Sequence, residues 1–109
     1  MIRYNKLVRD KIPSIIKSTG KNFETTQATD LSEYKSALYN KLREELEEFI
    51  ENPSYEEAAD IWEVLSSMCS CHDLDMQEVF RTATLKASKK GSFKDRIILV
   101  SVGDNNYST

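Results

Sequence analysis

Carboxylates recur in this chain at spacings that a helix would gather into clusters. Glu44, Glu45 and Glu48 fall within five residues, and Glu57 and Asp60 stand three apart a little further on. At an advance of about 100° per residue, the first three form an acidic flank beside an apolar stripe of Leu38, Leu42, Leu46 and Phe49, with Lys41 among them one turn earlier. Around Ile61, Leu65 and Met68, Glu57 falls inside the apolar face and Asp60 to its side. A carboxylate on a buried face is costly unless it is paired or holds a cation. If the two segments fold back on each other, five carboxylates surround one cleft, and that is the donor set of a hard divalent ion. Mg2+ is the expected cofactor, with Mn2+ as a substitute, because it prefers oxygen ligands, keeps waters and bridges phosphates. The alternatives are solvated surface charge for the whole set and, for Glu57, the third position of a capping box.

The positive charges lie elsewhere along the chain. Residues 1–20 carry five Lys or Arg against one Asp, residues 44–80 carry twelve Asp or Glu with no Lys or Arg, and residues 81–96 carry six basic side chains against one Asp. Folding must bring a basic head, an acidic middle and a basic tail together. A duplex nucleic acid would call for a broad basic surface with little acid beside it, so it is not the expected partner. A cation-bound polyphosphate fits better, with carboxylates on the cation and basic groups on the phosphates. Lys89 is the first candidate for the phosphates, ahead of Lys86 and Arg96, with Arg9 and Lys11 next. Charge at the end of a helix is the structural alternative for the lysines.

The elements that must position these groups are mainly helical. Asp10 is placed to cap a short helix containing Pro13, with Ile12, Ile15 and Ile16 inward and Gly20 at its end. Asp30 with Glu33, Ser54 with Glu57 and Asp75 with Glu78 are three capping-box patterns. They predict helices ending at Asn52 and Pro53, near Cys71, and near Gly91. Residues 23–29, which hold three threonines, read as extended or as a short strand, and residues 96–102, rich in Ile and Val, as a strand able to pair with them. The class expected is all-α with short terminal strands, in one domain spanning the 109 residues. The apolar stripes exceed what one copy covers, so a homodimer or homotetramer is expected, with Trp62 at the interface or against a base. Cys69 and Cys71 are too close in sequence for a framework disulfide. No apolar run is long enough for a membrane span or follows Arg3 and Lys6 as a leader would, and a cytoplasmic protein is expected.

The residues also match a known pattern. KLREELEEF at 41–49, followed by Glu57 and Asp60, resembles the EExxE and ExxD signature of the all-α MazG-like nucleoside triphosphate pyrophosphohydrolases. YNKLVRDKIP at 4–13 and KASKKGSF at 86–93 are similar to the opening and closing motifs of their small phosphoribosyl-ATP pyrophosphohydrolase-like branch. The resemblance implies a helical bundle completed by dimerisation, and cleavage of a nucleotide between its α and β phosphates to a monophosphate and pyrophosphate. It implies Glu45, Glu48, Glu57 and Asp60 as metal ligands, Glu44 as a further ligand or the group orienting the attacking water, and Asn5 in contact with a base or holding its segment.

The leading expectation is therefore a Mg2+-dependent house-cleaning hydrolase acting on a nucleotide, with Glu44 and Glu45 at the reacting centre. Phosphoribosyl-ATP is an alternative substrate, although residues 61–64 lack the histidine that commonly follows the second acidic motif in the biosynthetic enzyme. A second class of reading is an acidic helical interaction module, or an inactive regulator that binds metal and nucleotide.

Overall fold

Two caps written in the sequence start the two long helices. The Asp30 carboxylate accepts the Glu33 N–H at 2.8 Å, and Glu33 reaches back to the backbone N–H and hydroxyl of Thr29. Ser54 Oγ accepts the Glu57 N–H at 3.1 Å. These bonds satisfy donors that the first turn leaves without an intrahelical partner. The computed structural model describes residues 5–103, in four helices: α1 (Ile12–Ser18), α2 (Leu31–Glu51), α3 (Tyr55–Cys71) and α4 (Met76–Lys90). The fold is all-α, and no helix among the described residues is long and apolar enough to cross a membrane.

The ends of the helices are equally local in origin. Beyond α3, Asp73 adopts φ 55°, the Leu74 N–H reaches the Cys69 carbonyl, and the Asp73 N–H reaches that of Ser70. This is a Schellman closure with aspartate in the position where glycine is commonest. After α4 the left-handed position is filled by Gly91 at φ 82°, which an L side chain would strain.

Three sequence expectations need correction. The N-cap of α1 is Lys11, with no side-chain cap bond, so Asp10 does not cap it. Ile15 is 55% exposed where an inward position was expected, while Ile12 and Ile16 are half-buried. Neither residues 23–29 nor 96–102 form a strand, and both are exposed throughout. A strand is completed by a neighbouring edge that takes up its alternate N–H and C=O groups. Threonine, isoleucine and valine supply the propensity but not the partner.

The chain divides into two compact units, with the boundary in the sequence between Met76 and Gln77. In the first, α2 packs against α3 across the short link of Asn52, Pro53 and Ser54, and the buried apolar residues are Leu38, Val64 and Cys69. Both cysteines are free. The second holds the rest of α4 and the tail. Tyr4, the first residue of the opening motif, lies outside the described residues.

Candidate functional site

One row of side chains from each long helix forms a groove. On α2, Tyr34, Leu38, Lys41 and Glu45 recur at intervals of four, three and four residues, the spacing of a single helical face. Asp60, Glu63 and Val64 face them from α3, and residues 7–12 supply a further wall to a groove of about 450 Å³. The sequence folds this way locally because the α2–α3 link is too short for anything but a helical hairpin.

Glu45, Glu57 and Asp60 each offer a carboxylate oxygen, and the three oxygens lie within 4.8 Å of one another. Glu45 is 7% exposed and the only acidic side chain buried to that degree among the described residues. Lys41 Nζ stands 3.3 Å from its Oε1 and is itself largely covered, so solvent screens this pair only weakly. Glu57 forms only the backbone half of its capping box, and its carboxylate turns toward the cluster. Partial burial, reinforced by the carboxylates of Glu48, Asp60 and Glu45, holds the Glu57 carboxyl above the ordinary range.

These residues fit a hard divalent cation. The oxygen shell of Mg2+, at about 2.1 Å from the ion, spaces its ligands roughly 3 to 4 Å apart. Small side-chain rotations would bring the three oxygens to that spacing, and a cation would relieve the repulsion that raises Glu57.

Positive side chains pair with two carboxylates of the cluster and with Glu44 beside them. Lys6 Nζ lies 2.8 Å from Glu44 Oε1, Lys41 Nζ lies 3.5 Å from Glu44 Oε2, and Arg9 Nη2 lies 2.7 Å from Asp60 Oδ1. The hydrogen bond from Lys6, with Lys41 assisting, holds the Glu44 carboxyl below the ordinary range. The same contact raises the Lys6 ammonium above its own.

Of the five carboxylates expected around the cleft, three converge. Glu44 is turned to Lys6 and Lys41, and Glu48 is exposed and outside the group of three, although near enough to raise Glu57. Arg9 and Lys11 both line the groove, Arg9 paired to Asp60 and Lys11 at the start of α1. Asn5 is exposed, with φ 46°. Lys86 and Lys89, on the C-terminal part of α4, and Arg96, with φ 58°, are exposed residues of the second unit.

Sequence reasoning missed Lys6, Tyr34 and Glu63. Tyr34 and Glu63 carried a signal, since each continues the helical row of groove residues already singled out. Lys6 had only the weaker one of standing in a basic segment three residues before Arg9. No family model, curated protein or solved structure matches this chain.

Proposed function

We propose that the chain is a Mg2+-dependent nucleotide pyrophosphohydrolase that releases a nucleoside monophosphate and pyrophosphate, in a house-cleaning role. The observation that carries this reading is the convergence of Glu45, Glu57 and Asp60 from two helices beside a mainly apolar groove whose wall includes Arg9, Lys11 and Lys41. The resemblance of residues 4–13, 41–49, 57–60 and 86–93 to the MazG-like enzymes, which takes in the same carboxylates, also supports it.

Glu45, Glu57 and Asp60 would hold the cation, and Glu48 is assigned to it on the resemblance alone. A bound Mg2+ supplies charge to the phosphoryl oxygens and a water more acidic than bulk water. Glu44, kept ionised by Lys6 and Lys41, serves as a hydrogen-bond acceptor that orients the attacking water. Arg9 and Lys11 stand at the groove wall where phosphates would lie. Asn5 is assigned to base contact, and Lys86, Lys89 and Arg96 to the outgoing pyrophosphate, on the resemblance alone.

The ion pairs that already join Lys6 and Arg9 to Glu44 and Asp60 favour a second reading. In it the carboxylates are neutralised within the chain, and the protein is an acidic interaction module or an inactive binder of metal and nucleotide. Incubation with a panel of common and modified triphosphates, and with phosphoribosyl-ATP, in Mg2+ separates the two. Pyrophosphate release that EDTA abolishes is the expected result. Binding of metal and nucleotide without turnover identifies the regulator, and absence of both binding and turnover identifies the module.

Self-association belongs to the same proposal. Leu46, Ile50 and Trp62 are 43%, 75% and 54% exposed on α2 and α3, an apolar surface that a second copy would cover. Sedimentation equilibrium is expected to give a dimer or tetramer, and dilution below its dissociation constant should red-shift the emission of Trp62, the single tryptophan. A monomer at every concentration, with invariant emission, would exclude the assembly.

A further inference from the structure

Arg9 reaches Asp60 from outside the helical hairpin. It stands in the irregular stretch before α1, donates from Nη2 to Asp60 Oδ1 at 2.7 Å, and remains half in water at 55% exposure. Lys6, three residues earlier, makes the parallel contact with Glu44. One short segment thus contributes two cations to the two helices that carry the convergent carboxylates.

Asp60 is also one of the three residues whose oxygens converge. An oxygen donated to by a guanidinium is a poorer ligand for a hard cation, and the positive charge of Arg9 opposes the arrival of two more. A solvated ion pair of this kind separates at little cost. Its guanidinium is planar and forked, equally suited to carboxylate and to phosphate. Since Arg9 lines the groove together with Lys11 and Lys41, release from Asp60 leaves it at the wall beside other cations.

We infer that Arg9 is a resident counter-cation of this groove, displaced from Asp60 when a divalent cation binds and then available to a phosphate oxygen of the ligand. The inference rests on the metal-dependent reading above and adds an exchange of partners to it. The chain's own cation holds the site electrostatically quiet until metal and polyphosphate arrive together, and one anionic contact of Arg9 is traded for another.

Calorimetric titration of the full chain tests this, first with Mn2+ alone and then with inorganic pyrophosphate in saturating Mn2+. Arg9→Gln is expected to bind Mn2+ about two- to fivefold more tightly than the wild type, the range set by losing an exposed ion pair as competitor. It should bind pyrophosphate at least about tenfold more weakly, as the loss of a charge-assisted hydrogen bond requires. Arg9→Lys, which keeps the charge and loses the fork, should fall between for pyrophosphate. A purely structural role would lower both affinities, so the opposite signs identify the exchange. Mn2+ binding that is unchanged or weaker in Arg9→Gln overturns the displacement and leaves the metal reading standing, and unchanged pyrophosphate binding overturns the transfer to phosphate. Failure of the wild type to bind Mn2+ overturns the metal reading and this inference with it.

Discussion

Glu57→Gln is expected to abolish divalent-ion binding and pyrophosphate release while making the metal-free protein more stable at neutral pH. The two effects share one cause. Glu57 sits where partial burial and the carboxylates of Glu48, Asp60, Glu45 and Glu56 disfavour its charge, and two of these, Glu45 and Asp60, would be its co-ligands. Ligands to a catalytic cation are worth several kcal/mol at the transition state, which corresponds to a loss of at least about a hundredfold in rate. The Ser54 cap survives the substitution, because it uses the backbone N–H of residue 57.

The pH dependence follows from the direction of the shift. The folded-state pKa of Glu57 lies above the ordinary 4.5, so between the two values the folded chain keeps a proton that the unfolded chain has lost. Stability from this group is present below the unfolded pKa and is lost as pH rises through the folded one. In EDTA, the Tm advantage of Glu57→Gln should therefore be absent at the acid end and should grow as pH passes upward through that window. Adding Mn2+ should raise the Tm of the wild type by mass action and leave the variant where it was. A variant less stable than the wild type at pH 8 in EDTA would mean that Glu57 is held by contacts that outweigh the repulsion.

Leu38→Ala is expected to be the most damaging apolar truncation in the first unit. Leu38 is 2% exposed, the most covered of the three apolar side chains that are buried, and it lines the groove with Val64. Truncating a leucine in such a position costs about 2 to 5 kcal/mol, from lost transfer free energy and the cavity left behind. Against a total stability of about 5 to 15 kcal/mol, that is a large fraction. Urea unfolding should show a midpoint lowered in proportion with little change in slope. Leu46→Ala, at 43% exposure, is the control and should cost distinctly less in the monomer. Equal losses would mean that the apolar face closes on something beyond the α2–α3 contact. Metal binding should survive Leu38→Ala wherever the variant remains folded, since Leu38 offers the cluster no ligand.

The ion pairs offset part of the repulsion within the α2–α3 hairpin. Nine carboxylates with no basic residue between positions 44 and 71 would repel one another, and Lys6, Arg9 and Lys41, which pair with Glu44, Glu45 and Asp60, all come from outside that run. Most of these contacts are partly solvated and individually weak. Their importance lies in where they stand, because every one of them touches a carboxylate from which the proposed chemistry is assigned.

The residues at which α2 and α3 begin, and those at which α3 and α4 end, were legible in the chain itself. Asp30, Ser54 and Gly91 act on backbone groups a few residues away, and such local chemistry needs no knowledge of the fold. The acidic flank was legible too, because helical periodicity converts spacing into direction. Periodicity supplies the angle around a helix and says nothing of how far one helix is slid along another. At about 1.5 Å and 100° per residue, Glu48 lies nearly the width of the whole cluster from Glu45 along α2 and about 60° around it, so axial register as well as angle decided that Glu45 joins Glu57 and Asp60 while Glu48 stays outside. Strand pairing failed for the corresponding reason, since a ladder requires a distant partner that propensity cannot promise. The assignment of Lys6 to Glu44 and Arg9 to Asp60 was likewise a tertiary decision. Composition required the acidic run to find positive charge, and only the path of residues 5–11 over the hairpin determined which cation meets which carboxylate.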